Sequence, residues 1–163
     1  KQDNDIKLFV SRNGVVIKIE ANPVIRGVIH SPDVRSLQSK VMDEFDREID
    51  ILVCSLPDLY GGKIAAALDR QHPRDLFDVK VLLENEGISN EIRKAFIFYL
   101  ASHNRPMSEL LSPNLLDVHD LYINEFKDMV EENIEYKYLL DARDNLIKII
   151  NKAQQLRQEY SSC

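Results

Sequence analysis

The chain opens on strict alternation. Ile6, Leu8 and Val10, and then Val15, Ile17, Ile19 and Ala21, put an apolar residue at every second position, the period of strands with one buried face. Arg12-Asn13-Gly14 separates the two runs, and an Asn-Gly step between alternating segments predicts a hairpin turn. Beyond Pro23, residues 24–30 read as a further extended segment broken by Gly27. Ser31-Pro32-Asp33 then punctuates the chain and the period changes. Leu37, Val41, Met42 and Phe45 fall at helical spacing with charged residues between them, which predicts an amphipathic helix over 34–48. Residues 49–56 are short, rich in β-branched side chains and stopped by Pro57, so they read as another strand.

From Pro57 onward the pattern is helical almost to the end. A helix opening at Pro57 or Asp58 runs to Arg70, where Gln71-His72-Pro73 stops it, because the residue before a proline is pushed out of the helical region. Pro73 suits the first turn of a second helix reaching Glu86, with Gly87 as its stop. Ser89 or Asn90 caps a third to about 103, and pieces over 108–111, 117–130 and 136–160 continue the series. In the last of these, Leu139, Ala142, Leu146, Ile149, Ala153 and Leu156 follow steps of three and four. That narrow seam predicts an intramolecular helix-helix contact in preference to a dimer or partner helix.

Strands first and helices after define an α+β order, with a partial α/β core over 1–56 and a helical domain over 57–163. A length of 163 residues, 44% apolar and 29% charged, suits one compact unit and excludes a disordered or low-complexity chain. The net charge of −6, with acids spread along the chain, argues against a surface that coats nucleic acid and leaves room for a local basic cleft. Cys54 lies in an apolar run and Cys163 at the last position, so no disulfide framework or cysteine metal site is readable and a reducing cytoplasm fits. No apolar run approaches the roughly 20 residues of a membrane span. The chain begins with Lys1 and reaches a strand pattern at once, from which we expect an internal piece of a longer protein.

Candidate chemistry concentrates between Asp58 and Asp78. Arg74, Asp75 and Asp78 open the helix that starts at Pro73; Asp75 and Asp78, three apart, share a face, and Arg74 and Asp78 are four apart. Carboxylates in a first turn also suit the helix dipole, and Arg74 can simply pair with Asp78. Just upstream, Gly61 and Gly62 sit inside a helical run, each costing about 1 kcal/mol relative to alanine. Close approach of a neighbouring strand or of a bound phosphate would account for them, and Lys63 beside them is a natural phosphate ligand.

The stretch from Leu59-Tyr60-Gly61-Gly62-Lys63 through Arg70 to Arg74-Asp75-Leu76-Phe77-Asp78 resembles the third signature motif of the AbiEii/AbiGii toxin family of nucleotidyltransferases, a lysine followed downstream by Asp-x-x-Asp. Val16-Ile17-Lys18-Ile19-Glu20 is similar to that family's second motif, a core strand bearing an acid. The resemblance implies a DNA polymerase β-like nucleotidyltransferase core, of which 1–56 would supply the C-terminal part of a mixed sheet, followed by a multi-helix lobe. It also implies Mg²⁺ held by carboxylates, which brings a nucleoside triphosphate to an acceptor hydroxyl. The acceptor in some members is RNA such as tRNA, in toxin–antitoxin or phage-defence pairs with an antitoxin partner. Carried over, Lys63 contacts the triphosphate and Asp75 and Asp78 are essential acids. Arg74 and Lys18 would bind nucleotide, Arg70 would bind RNA, and Glu20 would be a metal ligand. Lys18 shares a strand face with Glu20 and is also readable as its partner or, ahead of either role, as an exposed strand lysine.

One departure matters. The family's first motif, a Gly-rich turn followed by an Asp-x-Asp pair that supplies the principal metal ligands, should precede Glu20, and none of the 19 residues before it matches. We therefore expect these 163 residues to be inactive alone. The main rival reading is a non-catalytic helical interaction module. A nuclease would want acid-x-Lys, where this strand offers Lys18-x-Glu20. The four histidines share no zinc-ligand spacing, and no Gly-x-Ser-x-Gly elbow occurs.

Overall fold

A computed structural model describes residues 6–21, 27–130 and 134–161. Strands β1 (Ile6–Arg12) and β2 (Val15–Ala21) form the predicted antiparallel hairpin, with Leu8 opposite Ile19 and Val10 opposite Ile17. Asn13 (φ 51°) and Gly14 (φ 80°) both take the positive-φ conformation that the Asn-Gly turn requires. A second antiparallel pair joins β3 (Asp33–Ser36) to β4 (Asp50–Val53), closed at one end by the Ser36 hydroxyl on Asp50 Oδ1 at 2.6 Å.

The helices are α1 (Ser39–Phe45), α2 (Leu56–Arg70), α3 (Pro73–Asn85), α4 (Asn90–Ala101), α5 (Met107–Leu111), α6 (His119–Glu125) and α7 (Tyr136–Ser161). The α+β class is as expected. Among the described residues the strands make two separate antiparallel pairs in place of one mixed sheet.

The core belongs to the helices. α2 packs against both α3 and α4, and α3 packs against α7. Ile64 and Leu68 of α2, Leu76, Val79 and Leu82 of α3, Leu100 of α4 and Leu139 and Leu146 of α7 are almost completely buried in one cluster. The α7 seam is therefore intramolecular through Leu139, Ala142 and Leu146. Its next member is Ile150, which is buried, and not Ile149, which is 37% exposed. The step of four from Leu146 to Ile150 keeps the seam within the buried cluster. Ala153 and Leu156 lie outside the described side chains.

The sheets, by contrast, expose apolar surface. Leu8, Val10, Ile17 and Ile19 line one face of the β1–β2 hairpin and all remain 45–59% exposed. β3, β4 and α1 contribute no buried residue to the core.

The predicted helix over 34–48 is corrected at its start. Residues 33–36 form β3, held by long-range pairing to β4, and α1 begins only at Ser39. Asp46, in the left-handed region, ends it by returning its N–H to Met42 O. Residues 27–30 are not strand, and 24–26 lie outside the described residues. The helix expected over 117–130 is confined to α6: Asp117 Oδ1 accepts the His119 N–H at 3.0 Å at one end, and Lys127 N–H turns back onto Tyr122 O at 2.9 Å at the other.

Candidate functional site

Sequence punctuation builds the α2–α3 hairpin. Ser55 caps α2, accepting the Asp58 N–H at 3.2 Å, with Pro57 in the first turn. Gln71 ends it with φ 52°, and Pro73 opens α3 behind His72, whose Nδ1 accepts the Arg74 N–H at 3.2 Å. The Gln71 side chain is itself buried. It donates to Asn114 O at 2.7 Å and accepts from Leu116 N at 3.0 Å and Arg143 Nη1 at 3.2 Å, tying the turn to the loop before α6 and to α7.

Two ion pairs clasp the antiparallel helices. Lys63 and Arg70, seven residues apart, share one face of α2, while Asp75 and Asp78 share one face of α3. The Lys63 ammonium binds Asp78 Oδ2. Arg70 grips Asp75 with both arms of its fork, Nε to Oδ2 at 3.0 Å and Nη2 to Oδ1 at 2.8 Å. The Asp75 side chain is only 11% exposed; those of Lys63 and Asp78 are about one third exposed. The pairing of Arg74 with Asp78 allowed by the sequence does not form. Arg74 is exposed and has no ion-pair partner among the described residues.

Glu20 lies elsewhere in its bonding. On β2 it contacts Lys18 of its own strand at 2.6 Å and Lys7, opposite it in register, at 3.8 Å, with all three side chains roughly half exposed. Lys18 is thus both an exposed strand lysine and the partner of Glu20.

The acids to which the resemblance assigns the metal chemistry are all paired with cations of the chain. Asp75, Asp78 and Glu20 are each engaged by a cation, and no group of three or more His, Cys, Asp and Glu side chains gathers among the described residues. The structure unites Lys63, Arg70, Asp75 and Asp78, and it does not bring Glu20 into hydrogen-bonding range of them.

Sequence reasoning missed the most heavily bonded carboxylate. Asp58, 2% exposed, accepts Ile29 N–H and the Tyr99 hydroxyl on Oδ1, each at 2.9 Å. On Oδ2 it accepts His30 N–H at 2.9 Å and the Ser55 hydroxyl at 2.8 Å, with His30 Nδ1 at 3.0 Å. One residue thus ties α2 to the segment before β3 and to α4. Burial pushes its carboxyl group's pKa up, but the backbone N–H groups of Ile29 and His30 and the Ser55 and Tyr99 hydroxyls outweigh that and hold it well below the usual carboxylate range. Burial, and then the hydrogen bond to Asp58, push the Tyr99 phenol far up; burial and the Asp58 charge raise the exposed-side neighbour Cys54. The available signal was Ser55-x-x-Asp58, a capping-box spacing ahead of an apolar run.

Residues 4–150 match the family described as nucleotidyl transferase AbiEii toxin, type IV TA system. The match spans most of the chain, and the chain belongs to this family of nucleotidyltransferase toxins. No curated protein and no solved structure matches significantly. Among the described residues no helix is long and apolar enough to cross a membrane.

Proposed function

We propose that this chain is the helical side of a nucleotidyltransferase site, in which Lys63 grips the triphosphate of a nucleoside triphosphate and the nucleotide passes to the end of an RNA such as tRNA. The observation that carries the reading is the clasp itself: the motif that gives the family resemblance, Lys63 with Arg70 and Asp75-x-x-Asp78, comes together on one helical hairpin. Catalysis of phosphoryl and nucleotidyl transfer is largely positioning and charge neutralisation. Lys63 supplies positive charge from a partly exposed position, and Arg74 adds a free cation at the start of α3. Arg70, the most exposed of the clasp residues with a 62% accessible side chain, is proposed to meet the RNA backbone. Mg²⁺ arrives with the nucleotide in this reading. A toxin role in a toxin–antitoxin system implies an antitoxin partner.

The reading is tested by incubating the complete gene product with labelled nucleoside triphosphates and bulk tRNA. Transfer of label to RNA is expected, with a roughly tenfold to hundredfold loss in Lys63→Ala, the scale of one charge-assisted hydrogen bond removed. Wild type that labels no RNA, or Lys63→Ala with full activity, refutes it. The 163 residues alone, which contain no Gly-rich turn followed by Asp-x-Asp, are expected to transfer nothing.

A further inference from the structure

We infer that Asp78 and Asp75 are positioning residues that fix the Lys63 ammonium and the Arg70 guanidinium for a polyphosphate, and not ligands of a metal; the inference rests on Lys63 gripping the triphosphate as proposed above. In a motif of lysine and paired acids, the acids invite assignment to a cation of the solvent. Here each acid already has its cation, supplied by the neighbouring helix in matching register: Lys63 on Asp78, further from the turn, and Arg70 on Asp75, next to it.

A metal ion on either carboxylate would sit against the positive charge already bound there, Lys63 on Asp78 and Arg70 on Asp75. The same geometry suits an anion. Lysine carries three donors and spends one on Asp78; the Arg70 fork spends one edge on Asp75 and keeps Nη1. The two cations lie on one face of α2, about 10 Å apart along its axis, and both long side chains reach further. Lysine has a flexible four-carbon stem, and a carboxylate that holds the ammonium in place removes the ordering cost from the binding step.

The sign of one substitution separates this from simple electrostatics. Removing a negative charge beside Lys63 should tighten a polyanion if Coulomb attraction alone decides, and should weaken it if Asp78 holds the lysine in place. Calorimetric titration of the chain with inorganic tripolyphosphate in EDTA reads this directly. Binding is expected to fall by about tenfold or more in Lys63→Ala. It is expected to fall by about threefold or more in Asp78→Asn, with Asp78→Glu restoring it to within about twofold of wild type. Far-ultraviolet circular dichroism confirms that each variant is folded.

Asp78→Asn that binds tripolyphosphate as tightly as wild type, or more tightly, overturns the inference and leaves Lys63 as phosphate ligand intact. A wild-type chain that does not bind tripolyphosphate overturns both. In the transfer assay with the complete gene product, the Mg²⁺ concentration for half-maximal rate should stay within about twofold in Asp78→Asn, whereas loss of a metal ligand raises it by about tenfold or more and would make Asp78 a ligand after all.

Discussion

Asp58→Ala should lower the stability of the chain by about 4 kcal/mol, the scale of breaking a buried polar network. Its two oxygens accept from Ile29 and His30 N–H, from the Ser55 and Tyr99 hydroxyls, and from His30 Nδ1. Each buried donor left without a partner costs about 1–3 kcal/mol. The total stays below the sum because the His30 side chain, about one third exposed, can turn to water. Asp58→Asn keeps the shape but sets amide hydrogens against donors, and should lose about half as much. The network also fixes the direction of the pH response. The folded carboxyl group titrates below its unfolded value of about 3.9, so its contribution is fully present above that pH and drains away as pH falls toward the folded pKa. Urea denaturation of wild type and Asp58→Asn at pH 7, 5, 4 and 3 should show the gap constant from 7 to 5 and narrowing below about 4. A gap of equal width at every pH would show that the charge of Asp58 contributes nothing.

What could be read from the sequence, and what could not, follows the range of the interactions. The β1–β2 hairpin was legible because period two and an Asn-Gly turn are local facts, and the α2–α3 hairpin because Pro73, Gly87 and the apolar period agree. β3 was not, since the pairing of Asp33–Ser36 with Asp50–Val53 is decided by residues on the far side of α1. The candidate site was half legible. Motif resemblance picked out Lys63, Asp75 and Asp78, yet which cation each acid holds depends on how α2 and α3 align, and Arg74 was the nearer guess for Asp78 in sequence. Asp58 escaped because its partners lie about thirty and forty residues away and only its capping relation to Ser55 is local. The two adjacent glycines looked alike in sequence and prove to differ.

Gly61→Ala should destabilise the chain by about 3 kcal/mol, while Gly62→Ala stabilises it by up to about 1 kcal/mol. A methyl group at 61 would lie 2.7 Å from Phe96 N and 2.8 Å from both the carbonyl carbon and Cβ of Ala95. These atoms are α4 backbone and its root, so no side chain can swing aside and the whole helix must retreat. The close approach foreseen for the glycine pair is thus made by a helix, not a strand, and at Gly61 only. At Gly62 nothing lies within 4 Å of the added methyl, so alanine gains its helix propensity at no packing cost. The retreat of α4 has a second consequence, because Tyr99 lies one turn beyond Ala95 and its hydroxyl holds Asp58. Gly61→Ala should therefore draw Tyr99 off Asp58. In a double-mutant cycle, Tyr99→Phe should cost less in the Gly61→Ala background than in wild type, by about 0.5 kcal/mol or more. Thermal and urea melts of the four proteins measure both effects. Equal stability of Gly61→Ala and Gly62→Ala would mean that α2 and α4 do not meet backbone to backbone at Gly61, and strictly additive costs would mean that their contact does not govern the Asp58 network.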